Sequence, residues 1–347
     1  MTFSIDLRSD TVTRPSAAMR QAMLEAEVGD DVIDVDPTVE RLQEIAAELL
    51  GKPAALFMPS GTMANQIALR LHCRPGDEFL CDSECHIVHY EQGAFAQLSG
   101  LVARGIVGQH GILQLEQLEG LIRPPADHTL NTRLICLENT HNRGGGTIQP
   151  LATVRAICDW AHQQGLATHC DGARLMNAVV ATGIPAAGWS ECFDSVSLCF
   201  SKGLGAPVGS VLAGSHEFIR QARRARKLFG GGMRQVGILA AAALYALDHN
   251  VARLADDHAH AHLLGQAIAD IPGLALQNPR IETNMVIFQI DPAWGTATEF
   301  AAQLAEHDLG AFPFGPQSIR LVTHLDVGRS QILQAIEIIR QVATSRH

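Results

Sequence analysis

The strongest constraint on this chain is a rhythm: short, continuously apolar runs alternate with longer stretches of helical periodicity. Residues 38–50 place Val39, Leu42, Ile45, Ala46 and Leu49 on one face and stop at Gly51, which predicts a helix with a glycine stop. A strand-like run follows at 54–58, then the turn Pro59-Ser60-Gly61-Thr62 and a helix over 63–72. The pattern recurs, with strands expected at 78–81, 133–137, 167–170 and 195–200 and a helix at 151–164. Apolar runs this continuous, separated by helices, predict a mostly parallel sheet covered on both faces. Beyond about Ala246 the character changes. A helix at 251–271, a strand at 285–290, a helix near 298–307, a strand at 319–323 and a closing helix from 330 describe a smaller α+β unit, with the boundary near Asn250.

With 347 residues, 47% of them hydrophobic, the chain can bury a large core without disulfides or metal. A formal net charge of −10, with no basic block beyond Arg223, Arg224, Arg226 and Lys227, argues against nucleic acid as the main partner. Charges at Asp6, Arg8 and Asp10 stand where a signal peptide would be apolar, and no run approaches about 18 apolar residues. A cytoplasmic protein with no membrane partner is expected. The eight scattered cysteines read as reduced thiols. Cys81, Cys85, His86 and His89 invite a zinc reading, but the paired C-x2-C spacing is missing, so no metal is expected. His258 and His262 share a helical face, and the neighbouring Asp256 and Asp257 predict a wetted surface there.

Three motifs carry chemistry. In Pro59-Ser-Gly-Thr-Met-Ala-Asn65 a strand ends in a turn that opens a helix, and its free N–H groups and hydroxyls could cradle an anion or simply cap the helix. In His169-Cys-Asp-Gly-Ala-Arg174, Asp171 follows a buried strand at the sheet end where ligands bind. It would be paired with Arg174 or with a protonated pyridine nitrogen. In Ser195-Val-Ser-Leu-Cys-Phe-Ser-Lys-Gly-Leu-Gly205 a strand runs into Lys202, a surface lysine or a reactive one. Taken in chain order, the three point to pyridoxal phosphate carried on Lys202.

Across nearly its whole length the chain also resembles the L-threonine aldolases of the low-specificity and L-allo-threonine type, within pyridoxal phosphate fold type I. The likeness runs through Asp6-Leu-Arg-Ser-Asp-Thr-Val-Thr-Arg-Pro15, Val28-Gly-Asp-Asp-Val32, Asp36-Pro-Thr-Val39, Leu137-Glu-Asn-Thr-His-Asn142, Ser201-Lys-Gly-Leu-Gly-Ala-Pro-Val-Gly209, Gly230-Gly-Gly-Met-Arg234 and Arg320-Leu-Val-Thr-His-Leu325, besides the motifs above. The resemblance implies a seven-stranded, mostly parallel sheet flanked by helices, with an arm over 1–30, a large cofactor domain over 31–249 and a small α+β domain over 250–347. It implies that Lys202 carries the cofactor, Asp171 meets the ring nitrogen, Arg174 meets the ring's phenolate oxygen, and Gly61 and Thr62 hold the phosphate. His86 would stack on the ring. Ser9 and Arg320 would grip the substrate carboxylate, Asn142 would line the same pocket, His128 would approach the substrate hydroxyl, and Arg234 would reach a neighbouring subunit's phosphate. The implied reaction is cleavage of threonine or allo-threonine to glycine and acetaldehyde, with His86 or His128 as base, in a homotetramer with shared sites. Another enzyme of this fold, such as an aminotransferase, β-lyase or decarboxylase, or a non-catalytic relative, is the competing expectation. Two departures stand out: Ile33 where the family often has an aromatic, and Asn142-Arg-Gly-Gly-Gly146 where relatives often have Gly-Lys after the asparagine.

Overall fold

The structure, a computed structural model, describes residues 3–344. Its strands in chain order are β1 Ile5–Asp6, β2 Ala54–Met58, β3 Asp77–Asp82, β4 Val102–Ile106, β5 Asn131–Glu138, β6 Ala167–Asp171, β7 Ser195–Cys199, β8 Ser210–Gly214, β9 Leu274–Leu276, β10 Met285–Ile290, β11 Leu309–Gly310, β12 Phe312–Pro313 and β13 Ser318–Val322. Seven of them form one sheet in the order β2-β8-β7-β6-β5-β3-β4. Pairings from β7 through β4 are parallel, whereas β8 runs antiparallel to both β7 and β2. The predicted mostly parallel seven-stranded sheet is therefore present. Two of its members escape the sequence pattern: β4 is an edge strand with no fully buried residue, and β8 follows the Lys202 loop after a short glycine-rich turn.

Helices cover both faces of the sheet. Val39, Leu42 and Ala46 of the helix Pro37–Leu49, together with Val154, Ile157 and Ala161 of Leu151–Gln163, join the core beneath Phe57, Ile135 and Val196. On the other face, Ile67 and Ala68 of Gly61–His72 meet Leu212 and Ala222. Local chemistry sets the ends of these helices. Asp36 accepts from the Val39 amide at 3.1 Å and Pro37 follows it, while Ser60 accepts from the Met63 amide at 3.2 Å.

The chain beyond residue 250 forms a second sheet, β12-β13-β10-β9, packed on the helices Leu254–Ala269, Ala297–Glu306 and Arg329–Thr344 around Ile268, Phe288, Phe300 and Ile339. The amino-terminal arm is stitched to this unit. β1 pairs in parallel with β11, the Leu7 amide donates to the Gly310 carbonyl at 2.8 Å, and the Leu7 carbonyl accepts from the Val322 amide at 2.9 Å. One expectation holds only in part here. Asp257 and His258 are buried, because Asp257 turns inward to pair with Arg253 and His258 meets the amide of Asn177, while Asp256 and His262 stay exposed, so only half of this stretch is the wetted face expected. Among the described residues no helix is long and apolar enough to cross a membrane.

Candidate active site

Four parallel strands end side by side, and each hands one ionisable group to the same place. β6 ends at Asp171 and β5 at Glu138, while β7 leads into Lys202 and β3 into His86. Convergence at strand carboxyl ends follows from the topology, since every βα turn of a parallel sheet opens there. The cavity has a volume of about 420 Å³, and Ser9, His86, Tyr90, Arg174, Lys202 and Arg320 are among the residues lining it.

Lys202 follows the buried β7 run, and the Gly205 amide closes the next turn by donating to the Lys202 carbonyl at 2.8 Å. The arm pins the same carbonyl through the Thr13 hydroxyl at 3.2 Å. Asp171 accepts from the amide of Asn65 at 2.8 Å and from the Ala173 backbone at 3.1 Å. Burial pushes this carboxyl up, but the charges of His86 and Lys202 and the Ala173 N–H outweigh it and hold Asp171 below the ordinary carboxylate range. It is an ionised acid with no arginine of its own. The alternative pairing with Arg174 is thereby corrected: that guanidinium makes a bidentate contact with Asp10, at 2.6 and 2.7 Å, because the arm carries Asp10 over the site. Burial would also raise Asp10, yet Arg174, Lys202 and Arg320 keep it well below the usual range.

His86 begins a short helical turn set by Glu138, whose Oε2 accepts the His86 amide at 2.7 Å and whose Oε1 accepts the Asn142 amide at 2.8 Å. Its Nδ1 meets Glu91 Oε1 at 2.9 Å. Burial opposes protonation of His86, but the Glu91 hydrogen bond and Asp171 prevail and raise its pKa. Opposite stands Arg320 on β13, donating to Asn142 Oδ1 at 2.9 Å and to the Arg8 carbonyl at 3.2 Å. Its buried Nε has no hydrogen-bond partner, and burial, reinforced by Arg174, pushes its pKa down to about 10. An anion beside it would supply the missing acceptor.

Gly61 and Thr62 open the helix Gly61–His72, where first-turn amides lack intrahelical acceptors. A Cβ on Gly61 would lie 2.6 Å from Cys199 Sγ, so only glycine lets this helix end close on β7. The donor set suits pyridoxal phosphate: a helix start for its phosphate, an ionised carboxylate for its ring nitrogen, and a lysine in the cavity lining. His86, Glu91 and Asp171 offer ligand atoms within 4.8 Å of one another, but hydrogen bonds to Asn65 and Gln66 already engage these carboxylates.

Ser9, His86, Asn142, Arg174, Lys202 and Arg320 thus come together, with Asp171 directly behind them. Two expected residues do not. His128 is exposed on the loop after Leu121, away from the cavity lining, and Arg234 is half exposed and paired with Asp30 at 3.0 Å. Ile33 is 80% exposed and also outside the lining; the aromatic wall comes instead from Tyr90 and Phe312. Asp10, Asn65, Glu91 and Glu138 received no role from sequence. Asp10 and Asn65 sit inside recognisable motifs, but nothing local marks Glu91.

Fold and site together define a protein of pyridoxal phosphate fold type I. Residues 6–291 match the family model described as beta-eliminating lyase. The chain is 42% identical over 343 residues to low-specificity L-threonine aldolase 1 of Arabidopsis thaliana, covering 97% of this chain and 96% of that protein. It is 43% identical over 337 residues to the low specificity L-threonine aldolase of Escherichia coli K12, covering 95% and 96%. The threonine aldolase structure of Leishmania major shares the fold, with a TM-score of 0.84 at 20% identity over 98% of this chain and 99% of that one. The chain belongs to the beta-eliminating lyase family, in its threonine aldolase branch. Members of that family depend on pyridoxal phosphate.

Proposed function

We propose that this protein binds pyridoxal phosphate and cleaves L-threonine, L-allo-threonine and related β-hydroxy-α-amino acids to glycine and an aldehyde, chiefly acetaldehyde. The observation that carries the reading is the single cavity in which Lys202, His86 and an incompletely paired Arg320 face one another. When bound, the cofactor supplies an aldehyde carbon for the Lys202 amine and a ring that accepts the electron pair released at Cα. Asp171 would hold the ring nitrogen in its protonated form, and Gly61 and Thr62 would hold the phosphate. Arg320 and Ser9 would hold the substrate carboxylate, an orientation that protects that bond and leaves Cα–Cβ to break. His86 Nε2 takes the β-hydroxyl proton while Glu91 holds Nδ1–H, an acid-imidazole pairing suited to proton transfer near neutrality. His86 is preferred to His128 because it lines the cavity.

We also propose the three-part division at residues 30 and 249, a cytoplasmic location, and a homotetramer. Support for assembly comes from Leu24, Val28, Ile33, Val35, Leu228 and Ile238, large apolar side chains left exposed around the arm.

The test is product analysis with purified enzyme and cofactor. Glycine and acetaldehyde in equal amounts from threonine are expected, with neither keto acid nor carbon dioxide; a keto acid or carbon dioxide as the main product would overturn the reading. Lys202→Ala should lose nearly all turnover and the visible absorbance of the loaded enzyme, with an unchanged far-UV spectrum. Full activity in that variant would reject the assigned lysine.

A further inference from the structure

We propose that Asn65 is a positioning residue whose neutral amide ties together the two buried carboxylates of the site, Asp171 and Glu91, and so fixes the placement of His86. The proposal deepens the threonine-cleavage reading and rests on it. Asn65 is buried on the helix whose first turn faces the site. Its Nδ2 donates to Asp171 Oδ2 at 2.8 Å and to Glu91 Oε1 at 2.9 Å. The same Glu91 oxygen meets His86 Nδ1 at 2.9 Å, and its other oxygen accepts from Gln66 Nε2 at 2.6 Å. On the far side, Asn65 Oδ1 accepts from the Ser197 hydroxyl at 3.0 Å and faces His169 Nε2 at 3.2 Å.

The orientation of this amide follows from its neighbours. Ionised carboxylates only accept, so the NH2 group must face Asp171 and Glu91, and the oxygen must face Ser197 and His169. That places the His169 proton on Nε2 and leaves Nδ1 to accept from Ser195, 2.9 Å away, whose oxygen in turn accepts from His72 Nε2 at 2.8 Å. Burial keeps both imidazoles neutral, lowering His169 to about 3 and His72 to about 4. A chain of uncharged groups with one polarity therefore backs the amide.

The chemistry explains why an amide belongs here. Two buried carboxylates close together repel, and each needs donors. A cation between them would compete for Asp171 with the ring nitrogen. An aspartate has the same shape but only accepts, and a leucine does neither. Asn65 alone among these offers two donors without a charge, leaving Asp171 free to bind a positive ring and Glu91 free to bind His86.

The test compares Asn65→Leu and Asn65→Asp with the wild-type enzyme in kcat and KM for threonine, in the pH profile of kcat/KM, and in affinity for pyridoxal phosphate added to apoenzyme. The charged and titratable groups facing His86 are Glu91, Asp171, Lys202 and Tyr90, with Glu138 on its backbone amide. Adding a negative charge at 65 favours the protonated imidazole, so Asn65→Asp should shift the acid limb upward by about one pH unit. Asn65→Leu should lower kcat more than tenfold, change KM less than threefold, and weaken cofactor binding. If it fails to fold, the aspartate variant decides. Unchanged pH profile and cofactor affinity in the folded variants would overturn the proposal, and so would a lower melting temperature as the sole effect, which marks a packing residue. Failure of the wild-type enzyme to cleave threonine would strike the functional reading instead, and the cofactor titration would still decide the role of Asn65.

Discussion

Two buried arginines line the cavity, one from beside the large sheet and one on the small sheet, and they are wired differently. Arg174, beside the large sheet, is closed off by a bidentate contact with Asp10. Arg320, on the small sheet, has only an amide oxygen and a backbone carbonyl, with its Nε unmet. One is complete as the chain folds; the other waits for an anion. Desolvation explains the division of labour. A buried cation needs a counter-charge to be stable, and where the protein places none in direct contact, a ligand carboxylate gains the benefit of supplying it.

Removing Asp10 should be the largest perturbation of this contrast. Asp10→Ala strands Arg174 as an uncompensated buried charge, with an expected loss of about 3 to 5 kcal/mol in denaturant-monitored stability; a loss below about 1 kcal/mol would show that Arg174 is not closed off. Asp171→Asn should cost about 2 to 4 kcal/mol in kcat/KM by weakening ring protonation while leaving stability nearly intact. At the open arginine, Arg320→Met should reduce kcat/KM for threonine by about 1.5 to 3 kcal/mol, mostly through KM. Because that guanidinium has no carboxylate in direct contact, the variant should match or exceed the wild type in melting temperature without ligand, and a clear drop would contradict the proposed asymmetry.

The smallest effects concern protons. Asp10 has a depressed folded pKa, so its stabilisation is present above the unfolded value near 3.9 and is lost as pH falls toward the folded one. Melting temperature against pH should therefore fall less steeply below about pH 4 in Asp10→Asn than in the wild type. The raised pKa of His86 has the opposite sign. As a base it must be deprotonated, and Glu91→Gln should move the acid limb of kcat/KM to lower pH; no movement would remove His86 from the role of base.

Much of the fold was legible because burial on both faces leaves a strong local trace. β2, β5, β6 and β7 stand out as apolar runs, and the Ser60 turn announces its helix. β4 carried no such trace, since an edge strand needs only one partner and little burial. His258 misled for a related reason: a histidine beside two aspartates looks solvated until a neighbouring helix covers it. Lys202, Asp171 and Arg320 were visible through their motifs, whereas Glu91 lies in none and Glu138, though inside one, gave no sign of its role, because a carboxylate's partners are chosen in space.

The sequence alone determined the periodicities, the helix starts and the strand-end positions of the ionisable residues, since these depend on neighbours along the chain. Only the tertiary structure decided that Arg174 belongs to Asp10, that Arg320 keeps an open valence, and that Asn65 sits between two acids. Electrostatic and hydrogen-bond partnerships act over a few ångströms, and contacts between residues more than a hundred positions apart exist only once the sheet and arm have closed around them.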